Sequence, residues 1–312
     1  MSDPLRSGAR CSLRAGAFAV LVLAGLGGGP APVWAAPQTF NTALPIAKGE
    51  LLFREQFFYR KIGGDPGPAN RRVNVLGSIS VLGFGPSADL ALFAVLPLLN
   101  KELKVTPPGM ARLSRDTTGL GDARLFARYT LFKKNFSGGS FRIAPFAGIE
   151  LPTGDDNHRD RFGLLPPPIQ LGSGSWDPFA GLVATYQVLA FEVDTSASYK
   201  INTPAGGFEF GDETRLDASL QYRLWPRHLT GGLPGFLYGV VESNLVHQGR
   251  NRVAGVADPN SGGTSLSLAP GLQYVTLRWV FEAIVQVPVV RDPNGTALRD
   301  DLAVRAGFRV KF

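Results

Sequence analysis

Alternation of apolar and polar side chains over residues 301–312 constrains this chain most, because it predicts a strand with one oily face and one wet face. One set of alternate positions is apolar throughout: Leu302, Val304, Ala306, Phe308, Val310 and Phe312. The other set is charged or small: Asp301, Ala303, Arg305, Gly307, Arg309 and Lys311. Such a strand fits the edge of a soluble β-sandwich or the wall of a membrane β-barrel with one face in lipid. Whether the same alternation repeats along the chain decides between the two.

Residues 1–35 have the organisation of a secretory signal peptide. A region with three arginines precedes an apolar run over residues 15–26, and residues 33–35 supply the small-residue pattern of a cleavage site. The run is too short for a membrane-spanning helix, which needs about 20 residues. We expect cleavage after Ala35, which would remove Cys11 and leave a mature chain without disulfide or thiol chemistry.

The remaining chain divides into a short leader and one large unit. Residues 36–49 are small, polar and proline-containing, and predict a flexible leader. Residues 50–312 are rich in glycine and aromatic residues, a composition that favours strands and turns over a helical bundle. The formal charge of +7 is not gathered into a dense basic block, so we expect no nucleic-acid partner.

Twelve segments of residues 50–312 have strand-like patterns, clearest over 212–224. In the segment 72–82 the oily set is Val73, Val75, Ile79 and Val81. The segment 90–98 is apolar on both faces, so the sequence does not show which face points towards the lumen. Long connections, including 99–120 and 288–300, alternate with short ones.

An even strand number with long loops at one end and short turns at the other is typical of transmembrane barrels. Lipid cannot hydrogen-bond exposed backbone groups, so a sheet in lipid must close on itself. We therefore predict an all-β fold: a transmembrane, antiparallel, up-and-down β-barrel of about 12 strands, with periplasmic termini and long extracellular loops. Aromatic residues with lipid-facing parity predict interface girdles: Tyr59, Tyr129, Tyr186, Tyr199, Tyr222, Tyr274 and Phe312.

Three segments carry a family resemblance. They are Thr117-Thr118-Gly119-Leu120-Gly121-Asp122, Leu151-Pro152-Thr153-Gly154, and Leu171-Gly172-Ser173-Gly174-Ser175-Trp176-Asp177. In order and spacing they resemble the bacterial outer-membrane transporter family named for the meta-cleavage pathway of phenol degradation. The resemblance implies an outer-membrane channel for aromatic or other hydrophobic compounds. The aromatic terminus Phe312 also resembles the signal that the barrel-assembly machinery reads.

Charged residues on the wet faces are expected to line the lumen. These candidates are Arg124, Arg128, Arg142, Glu150, Glu192, Asp194, Arg215, Asp217, Glu242, Arg278, Glu282 and Arg305. They fit a solute path, or a structural interior in which paired charges satisfy one another. Both interpretations hold together if the loops leave a small pore.

The longest loop, residues 152–175, has a stiff apolar tip. Three consecutive prolines, residues 166–168, restrict its backbone. The solute-contact candidates at this tip are Phe162, Leu164, Leu165 and Ile169. Such a tip could contact a hydrophobic solute, fold inward as a constriction, or pack on neighbouring loops.

The sequence predicts no catalytic residues, no metal site and no cofactor. Ser243 and His247 stand on one strand at a separation of about 13 Å, too far for proton transfer. The cluster Asp155-Asp156-Asn157, with Asp160, fits a divalent-cation or lipopolysaccharide contact, although such a cluster is more often a solvated loop.

We therefore expect a non-enzymatic protein of the Gram-negative outer membrane, surrounded by lipid and lipopolysaccharide. The expected function is passive uptake of small, hydrophobic or aromatic compounds. The alternative is a structural or adhesion barrel whose lumen is plugged by charges and which transports nothing.

Overall fold

A computed structural model describes residues 35–228 and 235–312 and shows a large sheet that closes on itself, with two small sheets in the loops between its strands. The sheet has fourteen strand pieces, which make twelve strands because three consecutive pieces belong to β4. The strands are β1 Leu51–Gly63, β2 Arg72–Phe84, β3 Leu90–Val105, β4 (Leu113–Leu120, Ala123–Tyr129 and Phe132–Phe136), β5 Gly139–Leu151, β6 Asp177–Val188, β7 Phe191–Lys200, β8 Glu213–Trp225, β9 Phe236–Gln248, β10 Gly263–Val275, β11 Trp279–Pro293 and β12 Arg299–Lys311. Within the described ranges, no helix is long and apolar enough to cross a membrane. The signal peptide expected over residues 1–35 lies, apart from Ala35, outside the described residues.

Every strand pairs with its neighbours in sequence, and β1 pairs with β12 to close the barrel. The Leu51 N–H donates to the Phe312 carbonyl at 3.2 Å, and the Phe312 N–H donates to the Leu51 carbonyl at 2.9 Å. The final residue therefore takes part in the closing ladder. Closure leaves no strand edge exposed, as a sheet in lipid requires. The predicted twelve-stranded antiparallel barrel is confirmed.

Connections of different length define the two ends of the barrel. The short-turn rim carries residues 85–89, 137–138, 189–190, 226–228, 235 and 276–278 together with the start of β1 and the end of β12. The long-loop rim carries residues 64–71, 106–112, 152–176, 201–212, 249–262 and 294–298.

Two of the expected long connections are shorter than predicted. Only residues 106–112 of the expected link 99–120 are loop, and 288–300 shrinks to 294–298. The ends of β3 and β4 remain paired although they carry Glu102, Lys104 and Ser114. These strand ends extend past the apolar part of the barrel, where a polar sequence does not prevent pairing.

The outer face of the barrel is largely apolar. Its exposed side chains include Leu76, Leu82, Leu96, Leu125, Leu216, Leu220, Val241, Leu272 and Phe281. Tyr129, Tyr186 and Tyr222 lie on this face towards the short-turn rim, and Tyr59 and Tyr199 lie towards the long-loop rim. An apolar band between aromatic residues is the surface that a barrel presents to lipid.

The alternating apolar set of β2 faces the lumen, whereas the simplest interpretation of the pattern places it towards lipid. Phe57 of β1, which is exposed on the outer face, pairs with Ser78, and the neighbouring inward pair is Gln56 with Ile79. The set Val73, Val75, Ile79 and Val81 therefore faces the lumen, while Leu76 and Leu82 face outward. On β3, which had no predicted facing, Phe93 is buried inside and Leu92 is exposed outside.

A bulge at Gly121 and Asp122 divides the first two pieces of β4. The Gly121 N–H donates to the Pro97 carbonyl at 2.9 Å, whereas regular pairing with β3 continues on either side. Inward positions are odd-numbered before the bulge, as at Thr117, and even-numbered after it, as at Arg128. Insertion of one residue into a strand shifts the alternation in this way.

Candidate functional site in the barrel lumen

Charged residues predicted to line the lumen project inward, with one exception, and five of the twelve form ion pairs. Glu282 contacts Arg54 at 2.5 Å and Arg309 at 3.5 Å. Glu150 pairs with Arg124 and with Lys200, and Arg215 pairs with Asp217 at 3.3 Å. This part of the interior has the charge pairing that buried ions require.

Two buried acidic candidates on β7 differ from these pairs. Glu192 accepts a hydrogen bond from Gln187 at 2.7 Å, and Asp194 accepts one from Thr185. Neither carboxylate has a basic partner within 4.0 Å in the described part of the chain.

Arg278 is the exception among the lumen candidates. It lies in the turn 276–278 of the short-turn rim, where it is exposed and its carbonyl accepts the Lys311 N–H. The sequence pattern assigns it to a strand because its parity matches that of Glu282. Strand β11 begins only at Trp279, so Arg278 does not line the lumen.

An aromatic cluster lines the opposite side of the lumen, on β3 to β6. The Phe93 and Phe126 rings stack with centroids 4.6 Å apart and an interplanar angle of 11°. Phe126 also contacts Phe146 and Phe179 edge-on, at 6.4 and 6.0 Å between centroids. Together with the inward face of β2, this cluster gives the lumen an apolar wall opposite the charged one.

The apolar wall was not predicted from the sequence. The segment 90–98 did indicate it, because this segment is apolar on both faces. A strand is apolar on both faces when it separates lipid from an apolar interior. The oily set of β2 was a second signal, because it is opposed by Asn74, Ser78 and Ser80, which have small polar side chains.

Residues 36–49, named here the lumenal segment, lie inside the barrel. The Ala36 N–H donates to the Gln273 side chain at 3.2 Å near the short-turn rim, and Ala43 packs against the β5 and β6 wall. Ile46 then packs against Ala91 and Phe93 before the chain enters β1. The segment thus crosses the lumen and returns to the short-turn rim, unlike the flexible leader that its composition predicts.

Glu242 on β9 holds the first half of the lumenal segment. Its carboxylate accepts the backbone N–H of Gln38 at 2.6 Å and that of Thr39 at 3.1 Å, together with the Thr39 hydroxyl. The Gln38 carbonyl in turn accepts hydrogen bonds from Arg54 at 2.7 Å and Gln56 at 3.0 Å. The backbone of the segment thereby satisfies charged side chains on both sides of the lumen.

Arg128 on β4 holds the second half. Its guanidinium donates to the Asn41 side chain at 2.8 Å and to the backbone carbonyls of Thr42 and Leu44. Its Cζ atom also lies 5.0 Å from the centroid of the Phe93 ring. Carbonyl oxygens of the segment therefore take the place of an acidic partner for this buried cation.

The loop 152–176 folds inward at the long-loop rim. Leu165 and Ile169 are only 1% and 2% exposed, and they pack against Val73 and Leu103 on the barrel wall. Phe162 and Leu164 remain exposed at the rim. The four predicted solute-contact residues therefore separate into a packed pair and an exposed pair.

The three sequence segments that carry the family resemblance meet at Asp122. One carboxylate oxygen accepts the Gly154 N–H at 2.9 Å, and the other accepts the Ser173 N–H at 2.6 Å and the Ser173 hydroxyl at 2.9 Å. A Cβ atom on Gly172 would lie 2.5 Å from the Gly154 carbonyl oxygen, so only glycine fits there. These contacts fix both ends of the loop 152–176 to the bulge in β4.

Two cavities lined by described residues lie in the lumen. The vestibule, about 570 Å³, opens towards the long-loop rim, and Arg60, Val73 and Arg215 are among its lining residues. The inner chamber, about 320 Å³, lies nearer the short-turn rim between the lumenal segment and the apolar wall. Thr39 and Arg305 line both cavities, so these two residues stand at the boundary between them.

Two of the acidic loop residues, Asp155 and Asp160, have protein partners. Arg115 donates to both oxygens of Asp160 at 2.8 Å, and these hydrogen bonds lower the pKa of Asp160. Asp155 lies 3.5 Å from the His158 ring. Throughout the described residues, no group of three or more His, Cys, Asp or Glu side chains is arranged to hold a metal ion.

A family model described as MetA-pathway of phenol degradation matches residues 70–289. The chain belongs to this family. The match covers β2 to β10 and most of β11, and it includes all three segments that meet at Asp122. No curated protein matches the chain.

Solved structures with the same barrel fold include an outer-membrane channel from Pseudomonas putida. It is 12% identical in sequence, with a TM-score of 0.66 over 89% of this chain and 100% of that chain. The β-domain of a Bordetella autotransporter is also 12% identical, with a TM-score of 0.49 over 85% of this chain and 100% of that chain. The family and the fold together identify this member as an outer-membrane β-barrel.

Proposed function

We propose that this family member is a passive outer-membrane channel for small hydrophobic or aromatic compounds. In this proposal the long-loop rim faces the cell exterior and the short-turn rim faces the periplasm. The observation that carries it is the apolar wall inside the lumen, centred on the stacked rings of Phe93 and Phe126.

An apolar wall beside a cavity favours a solute path over a purely structural interior. A barrel that only fills its interior can do so with paired charges, as it does around Glu282. Here Phe93, Phe126 and Phe179 instead line the inner chamber of about 320 Å³. Small-molecule sites are mostly cavities of about 300–1,000 Å³ that combine apolar walls with polar groups, and this chamber has that size and an aromatic wall on one side.

The loop 152–176 provides the first contact in this proposal. Phe162 and Leu164 are exposed at the long-loop rim, and the ring of Phe162 lies beneath the guanidinium of Arg161 at 4.7 Å. Leu165 and Ile169 hold the loop against the wall rather than meeting solute. We propose that solutes meet the exposed pair before they enter the vestibule.

One observation favours the alternative of a closed structural or adhesion barrel. The lumenal segment crosses the interior and is held at Glu242 and Arg128. If it stays in place, it separates the vestibule from the inner chamber and no solute passes.

Reconstitution in liposomes distinguishes the two functions. Swelling and uptake of a labelled aromatic compound are measured for the wild type, for a deletion of residues 160–170 and for a deletion of residues 37–47. Solute movement by the wild type, increased by either deletion, supports the channel. If the wild type moves no solute above empty liposomes and neither deletion opens a conductance, the channel proposal is wrong and the structural barrel replaces it.

A further inference from the structure

The inner chamber has an unbalanced charge. Six basic side chains line it and no carboxylate does: Arg54, Arg124, Arg128, Arg305, Arg309 and Lys311. An excess of cations around a cavity of about 320 Å³ attracts an anion, since burial of unpaired charge is costly.

Partners outside the chamber account for most of these cations. Arg124 pairs with Glu150 and Lys311 pairs with Glu50, while Arg54 and Arg309 share Glu282. Arg128 is satisfied by oxygens of the lumenal segment.

Arg305 is the one basic residue of the described chamber lining that none of these partners satisfies. In the described part of the chain it has no carboxylate within 4.0 Å, and its Nη1 atom donates to the Gln56 side chain at 3.2 Å. Its Nε atom is fully buried and has no hydrogen-bond partner. A guanidinium presents paired donors that match the two oxygens of a carboxylate, so an organic acid suits this position.

The other side of the same chamber is apolar and aromatic. Phe93, Phe126 and Phe179 line it together with Ile79 and Val81. Rings prefer to pack edge-on or offset against other rings, with centroids about 4.5–7 Å apart, so this wall favours an aromatic group.

We propose that the inner chamber binds a monocyclic aromatic carboxylate, with the acid group on Arg305 and the ring against Phe93 and Phe126. A neutral aromatic compound would leave Arg305 without a counter-ion, and an aliphatic acid would not use the rings. This inference names a solute class for the proposed channel and therefore rests on the proposed function.

Binding is measured on the purified full barrel in detergent at pH 7, by ligand-observed NMR titration. The probes are benzoate, its neutral counterpart benzyl alcohol, and the non-aromatic anion cyclohexanecarboxylate. We expect benzoate to bind more tightly than either of the other two. Arg305→Gln should weaken benzoate binding about tenfold or more, because it removes charge-assisted hydrogen bonds.

Matched variants separate the site from general effects of charge. Arg278→Gln removes one positive charge in the exposed turn of the short-turn rim and should bind benzoate like the wild type. Phe126→Leu keeps an apolar side chain but removes the ring, and should reduce benzoate affinity to that of cyclohexanecarboxylate. Heat-modifiable migration shows whether each variant is folded; if Arg305→Gln is not, Arg305→Lys keeps the cation without the paired donors and should weaken binding to an intermediate extent.

Equal binding of benzoate and benzyl alcohol by the wild type, or unchanged benzoate affinity in the folded Arg305 variants, would overturn the inference. Liposome flux of the same probes separates this result from the proposed function. Binding that depends on Arg305 without flux of any probe supports the site and contradicts the channel. Equal flux of all three probes without a preference for benzoate supports the channel and contradicts the site.

Discussion

Glu242 accepts the Gln38 backbone N–H at 2.6 Å inside the barrel, and so attaches the lumenal segment to β9. The same carboxylate accepts the Thr39 N–H and hydroxyl, and no Lys or Arg of the described residues lies within 4.0 Å of it. A buried carboxylate without donors is unfavourable, as are buried N–H groups without an acceptor. The strand and the segment therefore stabilise each other.

Glu242→Leu should loosen the lumenal segment. Loss of the acceptor leaves the Gln38 and Thr39 N–H groups unpaired, at a cost of roughly 1–3 kcal/mol. Labelling of a Phe40→Cys reporter by an impermeant maleimide, in a Cys11→Ala background, should accelerate about tenfold for each ~1.4 kcal/mol lost. Glu55→Leu, which removes a carboxylate from the outer face, should leave the labelling rate unchanged. Equal rates in both variants would mean that Glu242 does not hold the segment.

Deletion of Phe312 should impair barrel assembly. Phe312 forms two backbone hydrogen bonds with Leu51 at the seam between β1 and β12 and completes the oily face of the last strand. The measurement is the yield of heat-modifiable protein in outer-membrane fractions. Phe312→Tyr keeps an aromatic ring and the backbone pairing, and should assemble like the wild type. A deletion variant with wild-type yield would contradict the proposed assembly role.

Strand number, order and closure followed from the sequence because alternation repeats on so many segments. The pattern over residues 301–312 predicted β12 and its facing, with Arg305 and Arg309 inside. Lipid imposes this alternation on every strand it touches, so the signal does not depend on distant contacts.

The interior was less predictable, for two physical reasons. Alternation shows which side chains share a face, but an oily face indicates lipid only where the lumen is polar. Around Val81 and Phe93 the lumen itself is apolar, so the apolar face of β2 points towards the lumen and not towards lipid. The lumenal segment escaped prediction because its backbone, rather than a pattern of side chains, contacts Glu242 and Arg128.

The loop 64–71 should loosen in acid. Asp65 accepts hydrogen bonds from the Arg71 side chain and from the backbone of Gly67 and Arg71, and the contact with the Arg71 side chain lowers the pKa of Asp65 from 3.8 to about 2. A depressed folded-state pKa stabilises the loop above pH 4, and this stabilisation is lost as the pH falls towards 2. Hydrogen exchange of residues 64–71 should therefore be slow at pH 6 and at pH 4, once the intrinsic rate is corrected for, and faster at pH 2. In Asp65→Asn exchange should be faster already at pH 6; an unchanged rate there would refute the role of the ionised Asp65.

Asp122→Ala should release the inward-folded loop. The carboxylate accepts hydrogen bonds from Gly154 and Ser173, which stand at the two ends of that loop, and their loss costs roughly 1–3 kcal/mol. Packing of Leu165 and Ile169 opposes release, so Leu165→Ala, at a further cost of about 2–5 kcal/mol, should increase the effect. Single-channel conductance in planar bilayers should rise in Asp122→Ala and rise further in the double variant, while far-UV circular dichroism remains that of the barrel. Asp116→Ala, an exposed carboxylate on the same strand, should conduct like the wild type. If the double variant conducts no more than the wild type, the loop does not restrict the path, and the restriction lies at the lumenal segment.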